Sequence, residues 1–148
     1  MATTATVSIS SDIYSGFSGI SKIMTLTQAG ALTDIEETTG FSRRKLTSTT
    51  ATDLIIMADA SLIQETSDSA AHKVYVKNIG DGKGNIDKST YVAISIGVAG
   101  GTTQEISKLY GGDWLLVPLT GIDATGDVYA TSQTNDAVVL EYVMFYEI

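Results

Sequence analysis

The chain has 148 residues, enough for one domain with a substantial core, and 43% of them are hydrophobic, which excludes a disordered chain. Its formal net charge is −8, from 17 acids against 9 bases, and this disfavours a nucleic-acid partner, because phosphate binding needs a basic footprint. With no cysteine there is no disulfide framework, thiolate metal site or cysteine nucleophile.

Only 18% of the residues are charged, so the surface must be rich in Ser, Thr, Gly and Ala. The lack of disulfides implies folding in a reducing cytoplasm, with extra stability drawn from subunit contacts. The opening MATTATVSIS has no basic region followed by an apolar core, so no signal peptide is expected. No apolar run approaches the roughly 18 residues of a membrane span, and no membrane partner is expected.

Residues 2–19 are Ser-, Thr- and Gly-rich, with Val7, Ile9, Ile13, Tyr14 and Phe17 scattered among them. The alternating piece Thr6–Ser10 can make a strand by adding to a sheet elsewhere. Residues 1–19 therefore suggest an N-terminal arm ordered on a neighbouring subunit, with a frayed terminus or an ordinary first strand as alternatives. Residues 20–148 are expected to form a single domain, since no linker or internal repeat divides them. Ile20–Gln28 suggests a strand. Ala31–Thr39 is ambiguous, because Thr33 and Glu36 match a capping box in a run too short and Thr-rich for a firm helix. Phe41-Ser42-Arg43-Arg44-Lys45 gathers three of the nine bases, either as a solvated run or as the basic half of a contact with an acidic partner surface.

Asp53–Ala58 is continuously apolar after its Asp, as in a buried strand. Lys73–Lys77 and Thr90–Val98 alternate about a Gly/Asn/Asp-rich connection, and this pattern predicts an antiparallel hairpin. In the return strand Val92, Ile94, Ile96 and Val98 are expected to face the core, and Tyr91, Ala93 and Ser95 to face outward. Thr102–Tyr110, Asp113–Leu119 and Asp127–Ser132 suggest further strands. Pro118 cannot donate to a ladder, which places it at an edge or a strand end. From residue 53 onward turn signals recur roughly every ten residues, the spacing of an antiparallel sandwich.

The final stretch, DAVVLEYVMFYEI, interleaves two apolar sets. Val138, Leu140, Tyr142, Met144 and Tyr146 form one, and Val139, Val143 and Phe145 the other. A strand apolar on both faces has to be covered on both, so it belongs in the middle of a sheet within a sandwich or oligomer.

Chemistry is sparse. His72 has no second histidine or cysteine beside it and suggests a surface residue. Asp81, Asn85 and Asp87 imitate the early positions of a calcium loop, but Lys83 stands where an oxygen ligand belongs and Val92 where the closing Glu would be. A hairpin loop explains the same residues. Trp114, Tyr110 and Tyr129 suit a core or subunit interface better than a sugar-binding groove. No catalytic residue, cofactor or metal site is expected.

The segments KVYVKN…STYVAISIGV, LYGGDWLLVPL, GDVYATS and VVLEYVMFYEI together resemble the β-sandwich of small virion proteins of tailed bacteriophages, of the capsid decoration (cement) type. The resemblance covers about residues 53–148 and rests on strand order and turn placement. It implies an all-β, antiparallel, jelly-roll-like sandwich with an extended N-terminal arm, made in the host cytoplasm and placed on the virion surface. It further implies a homo-oligomer, a trimer being favoured, that binds the major capsid protein and bridges its subunits. Val7, Ile9, Ile13, Tyr14 and Phe17 are then the arm contacts, Arg43, Arg44 and Lys45 a basic patch, and Val139, Val143 and Phe145 a subunit–subunit face. The alternative is a neck, tail or fibre component that acts as an adaptor or binds a carbohydrate or receptor.

Overall fold

A computed structural model describes residues 4–9, 20–25, 37–38, 40–55, 71–97, 103–120 and 127–146. Every regular element among them is a strand: β1 (Thr4–Ile9), β2 (Ile20–Thr25), β3 (Glu37–Thr38), β4 (Ser42–Leu46), β5 (Thr52–Ile55), β6 (Ala71–Asn78), β7 (Tyr91–Gly97), β8 (Thr103–Tyr110), β9 (Trp114–Thr120), β10 (Asp127–Ser132) and β11 (Val138–Tyr146).

One sheet runs β5-β10-β7-β8. The other runs β3-β11-β6-β9, with β4 beside β3 along the same edge of β11. All pairings are antiparallel. From β4 onward the strands are nested: β4 pairs with β11, β5 with β10, β6 with β9 and β7 with β8. A long hairpin of four strand pairs, rolled so that alternate pairs fall in opposite layers, gives this order. It is a jelly-roll β-sandwich.

β11 lies in the middle of its sheet, as its two apolar sets require. Val138, Leu140 and Met144 point inward, with Tyr142 packed against the same cluster, and meet Val74 and Val76 of β6 and Val92, Ile94, Val128 and Ala130 of the facing sheet. Fully burying each of these Val, Leu, Ile and Met side chains stabilises by about 1.5–3 kcal/mol. β9 is an edge strand, where the missing N–H of Pro118 costs no ladder bond.

Three expectations are corrected. β6 and β7 do not form a hairpin. They lie in different sheets, and residues 79–90 carry the chain across the sandwich. His72 is fully buried, on the inward parity of β6 with Val74 and Val76, and not at the surface. Ala93 and Ser95 are buried rather than outward in solvent, and Ile96 is only partly buried. Val98 lies outside the described residues.

β1 and β2 pair with each other in a separate two-stranded sheet, Val7 opposite Lys22 and Ile9 opposite Ile20. The ladder bonds of Ile20–Thr25 thus go to β1 and not to either sandwich sheet. Of Ala31–Thr39 only Glu37–Thr38 is described, as a strand. Of Asp53–Ala58, β5 reaches Ile55, and the remainder lies outside the described residues.

The crossings β4–β5, β6–β7, β8–β9 and β10–β11 all gather at one end. There Gly111 N–H donates to the Asp87 carbonyl (3.0 Å), Gly112 N–H to that of Asn78 (2.9 Å), and Gln133 N–H to that of Tyr91 (3.0 Å). A Cβ on Gly111 would strike the Asp87 carbonyl, so only glycine admits this crossing of the two chains.

Candidate interaction face

Alternation along each strand sorts the side chains of the β11 sheet onto an inner and an outer face. Cross-strand register then lays the outer face out in rows. One row is Arg43, Glu141, Lys77 and Trp114. The next contains Val143, Tyr75 and Leu116, with Phe41 entering from the edge on the parity of Arg43. The rings of Phe41 and Tyr75 meet edge-on, centroids 6.2 Å apart at 75°, and Tyr75 lies 6.4 Å from Trp114 at a 33° tilt. Phe41 and Tyr75 stand on either side of β11, so their rings meet above it at Val143, which is 1% exposed. The row ends in water at both sides, with Phe41 70% and Trp114 46% exposed.

Lys45 and Arg43 flank this aromatic row on the same face. Arg43 donates to Glu141 Oε2 through Nε (3.2 Å) and Nη2 (3.1 Å). Arg43 is mostly exposed, so Arg43→Ala is expected to change stability by less than about 1 kcal/mol in urea denaturation. Burial lowers the pKa of the Lys73 ammonium, and burial followed by the Glu141 charge raises that of the Tyr75 phenol.

The structure places the sequence-derived residues unevenly. Arg43, Arg44 and Lys45 do not form one patch, because consecutive residues of a strand point to opposite faces, and Arg44 turns away from the other two. Val139, Val143 and Phe145 share the outer face, but Val143 is buried within the chain and Gly82 leans on Val139, where a Cβ would come within 2.9 Å of its Cγ2. Val7 and Ile9 are placed by backbone alone, while Ile13, Tyr14 and Phe17 lie outside the described residues. Trp114, Tyr110 and Tyr129 are not brought together. Tyr129 is 4% exposed in the other sheet and donates to Asp127 (3.1 Å), and Tyr110 packs edge-on against Tyr91 (5.6 Å). Phe41 and Tyr75 are the residues the sequence reading missed. Phe41 shares its alternation with Arg43, and Tyr75 stands opposite Val143.

At the crossing end, Asp81, Asp87 and Asp136 line a recess of about 220 Å³. Asp81 accepts from the backbone N–H of Lys83 (2.7 Å) and Asn85 (3.1 Å) and from Asn85 Nδ2 (2.7 Å). Asp87 accepts from Ser89 N–H (2.7 Å), Ser89 Oγ (2.6 Å) and Thr90 Oγ1 (2.9 Å). These carboxylates hold the loop's shape. Among the described residues no group of three or more His, Cys, Asp or Glu is placed to bind a metal. Neither protein-family models nor curated proteins gave a match to this chain.

The Asn85 amide foremost lowers the Asp81 carboxyl below its ordinary 3.8, and the Ser89 side chain does the same for Asp87. A depressed pKa contributes stability that is complete above the unfolded value and is lost as pH falls through the folded one. Wild-type stability should therefore fall on acidification below about pH 4, and the Asp81→Asn/Asp87→Asn double variant should show a shallower fall. Urea midpoints between about pH 3 and 5 measure this, and equal slopes would refute it.

Proposed function

We propose that this protein is a non-enzymatic structural protein of a virus particle, of the capsid decoration type, which acts by covering and bridging subunits of the major capsid protein. The observation that carries the reading is the aromatic row Phe41, Tyr75 and Trp114, open to water on a folded sandwich. A folded domain gains nothing for its own core from rings kept in solvent, and clustered exposed aromatics are characteristic of protein contact sites. The jelly-roll order supports the same reading at the level of fold, which by itself does not fix function. The resemblance of residues 53–148 to phage virion sandwiches supplies the partner class. A surface buried only on the assembled shell stabilises that state by mass action.

The test is gold-antibody labelling of particles from the source lysate, viewed by electron microscopy. Even label over the heads is the expected result. Label at the neck or tail moves the protein to an adaptor role, and accessible particles without label would sink the virion reading. A second reading, a carbohydrate- or receptor-binding module, is favoured by the exposure of Trp114. It predicts glycan affinity that disappears in Trp114→Ala.

A further inference from the structure

The outer face of the β11 sheet departs from the charge of the whole chain. Arg43, Lys45 and Lys77 present charge on it, with Lys73 buried in the same face, against Glu141 alone among its described acids. Among the described residues, four of the nine bases thus share one face with one acid, and the other five accompany eight acids. At the crossing end the recess reverses the polarity, since Asp81, Asp87 and Asp136 line it, and Lys83 and Lys88 of the same connection are not among its walls. Aromatic rings and a basic rim therefore occupy one side of the molecule, and a carboxylate-rich concavity another.

We propose that copies of this chain associate head to tail, with the basic aromatic face of one seated on the acidic crossing end of the next. Charge decides the mode. Two basic faces pressed together in an isologous dimer would oppose like charges, which costs association, whereas face against end brings opposite charges together. Trp114 and Phe41 supply the desolvated apolar centre, and Lys45 and Lys77 the polar rim, the arrangement of an ordinary protein interface. A contact between two different patches is heterologous, so it either closes into a ring or runs on as a filament. A sheet's outer face and the end of its strands look out at right angles, so every contact turns the direction of growth and favours closure. This contact occupies the aromatic row that carries the capsid reading, so the two partners compete for one face; sedimentation tests this contact and particle labelling the other.

Sedimentation velocity of the full chain over a concentration series tests it. Wild type should sediment as a discrete species larger than the monomer. It should dissociate as salt rises from about 0.05 to 0.5 M, because screening removes the complementarity. Trp114→Ala/Lys45→Glu (face) and Asp136→Lys (end) should each weaken assembly by about 30-fold or more, the scale of losing an interface anchor. All three positions are solvent-exposed, and circular dichroism verifies that the variants fold. The deciding sample mixes the two variants. Each retains one intact patch, so a head-to-tail contact gives a heterodimer and nothing larger. Monomeric wild type throughout the series, unaffected variants, or a mixture that does not pair would each overturn the proposal.

Discussion

Leu140→Ala should lower the unfolding free energy by about 3–4 kcal/mol, the cost of a large-to-small change where the site cannot collapse. Leu140 is completely buried on the inner face of β11, opposite Arg44 on one side and Asn78 on the other. Because β4 and β6 hold β11 from both sides, its backbone cannot shift inward to fill the space a missing isobutyl group leaves. The inner ends of Val76 and Met144 are themselves fully buried, and their rotamers are fixed by close packing. Lys45→Ala, nearby on the outer face and exposed, serves as the reference and should stay within about 0.5 kcal/mol. Urea denaturation of both variants measures the contrast. A loss below about 1.5 kcal/mol for Leu140 would mean that the inward set of β11 has been assigned to the wrong face.

That set was legible because a strand has only two faces, and period-two alternation assigns each residue to one of them. Alternation gave the composition of β11 on both sides, the missing N–H of Pro118 put it at an edge or a strand end, and the turn spacing gave a sandwich. Applied further, it would have given more. His72 shares parity with Val74 and Val76 and belongs in the core, although Lys73 beside it suggests a surface. Arg43, Arg44 and Lys45 make a cluster in sequence and alternate in space. Strand pairing was not legible in the same way. The Gly, Asn and Asp residues after Lys77 permit a chain reversal, but the same positive φ serves a crossing between sheets, and Gly80, Gly82 and Gly84 all adopt it here. Length was the neglected signal. Residues 79–90 exceed the two to five residues of an ordinary hairpin loop, and a connection of that size can span a sandwich. The aromatic face was hidden for a related reason, since Phe41 precedes β4, Tyr75 lies on β6 and Trp114 on β9, and only the nested pairing makes them neighbours.

What holds that crossing in place gives the second large effect. Asn78 is 2% exposed at the end of β6, and its side chain spans the two layers: Nδ2 donates to the Leu109 carbonyl of β8 (3.0 Å), and Oδ1 accepts from Gly80 N–H (2.9 Å). Asn78→Ala leaves both partners buried and unsatisfied and should cost about 2–4 kcal/mol, since an orphaned buried donor or acceptor forfeits its full desolvation energy. Asn78→Asp separates the two bonds. Its carboxylate still accepts from Gly80, yet it turns an oxygen toward the Leu109 carbonyl, where only a donor fits. Protonation restores the donor, so folding raises the pKa of this Asp above its unfolded value. A raised folded pKa gives stability that is complete below the unfolded pKa and lost as pH rises through the folded one. Asn78→Asp should therefore gain on Asn78→Ala as pH is lowered from about 7 to 4, and comparing the two variants at each pH cancels the acid loss from Asp81 and Asp87. If the gap between them stays constant across that range, Asn78 does not join the sheets through Leu109, and packing alone holds the crossing.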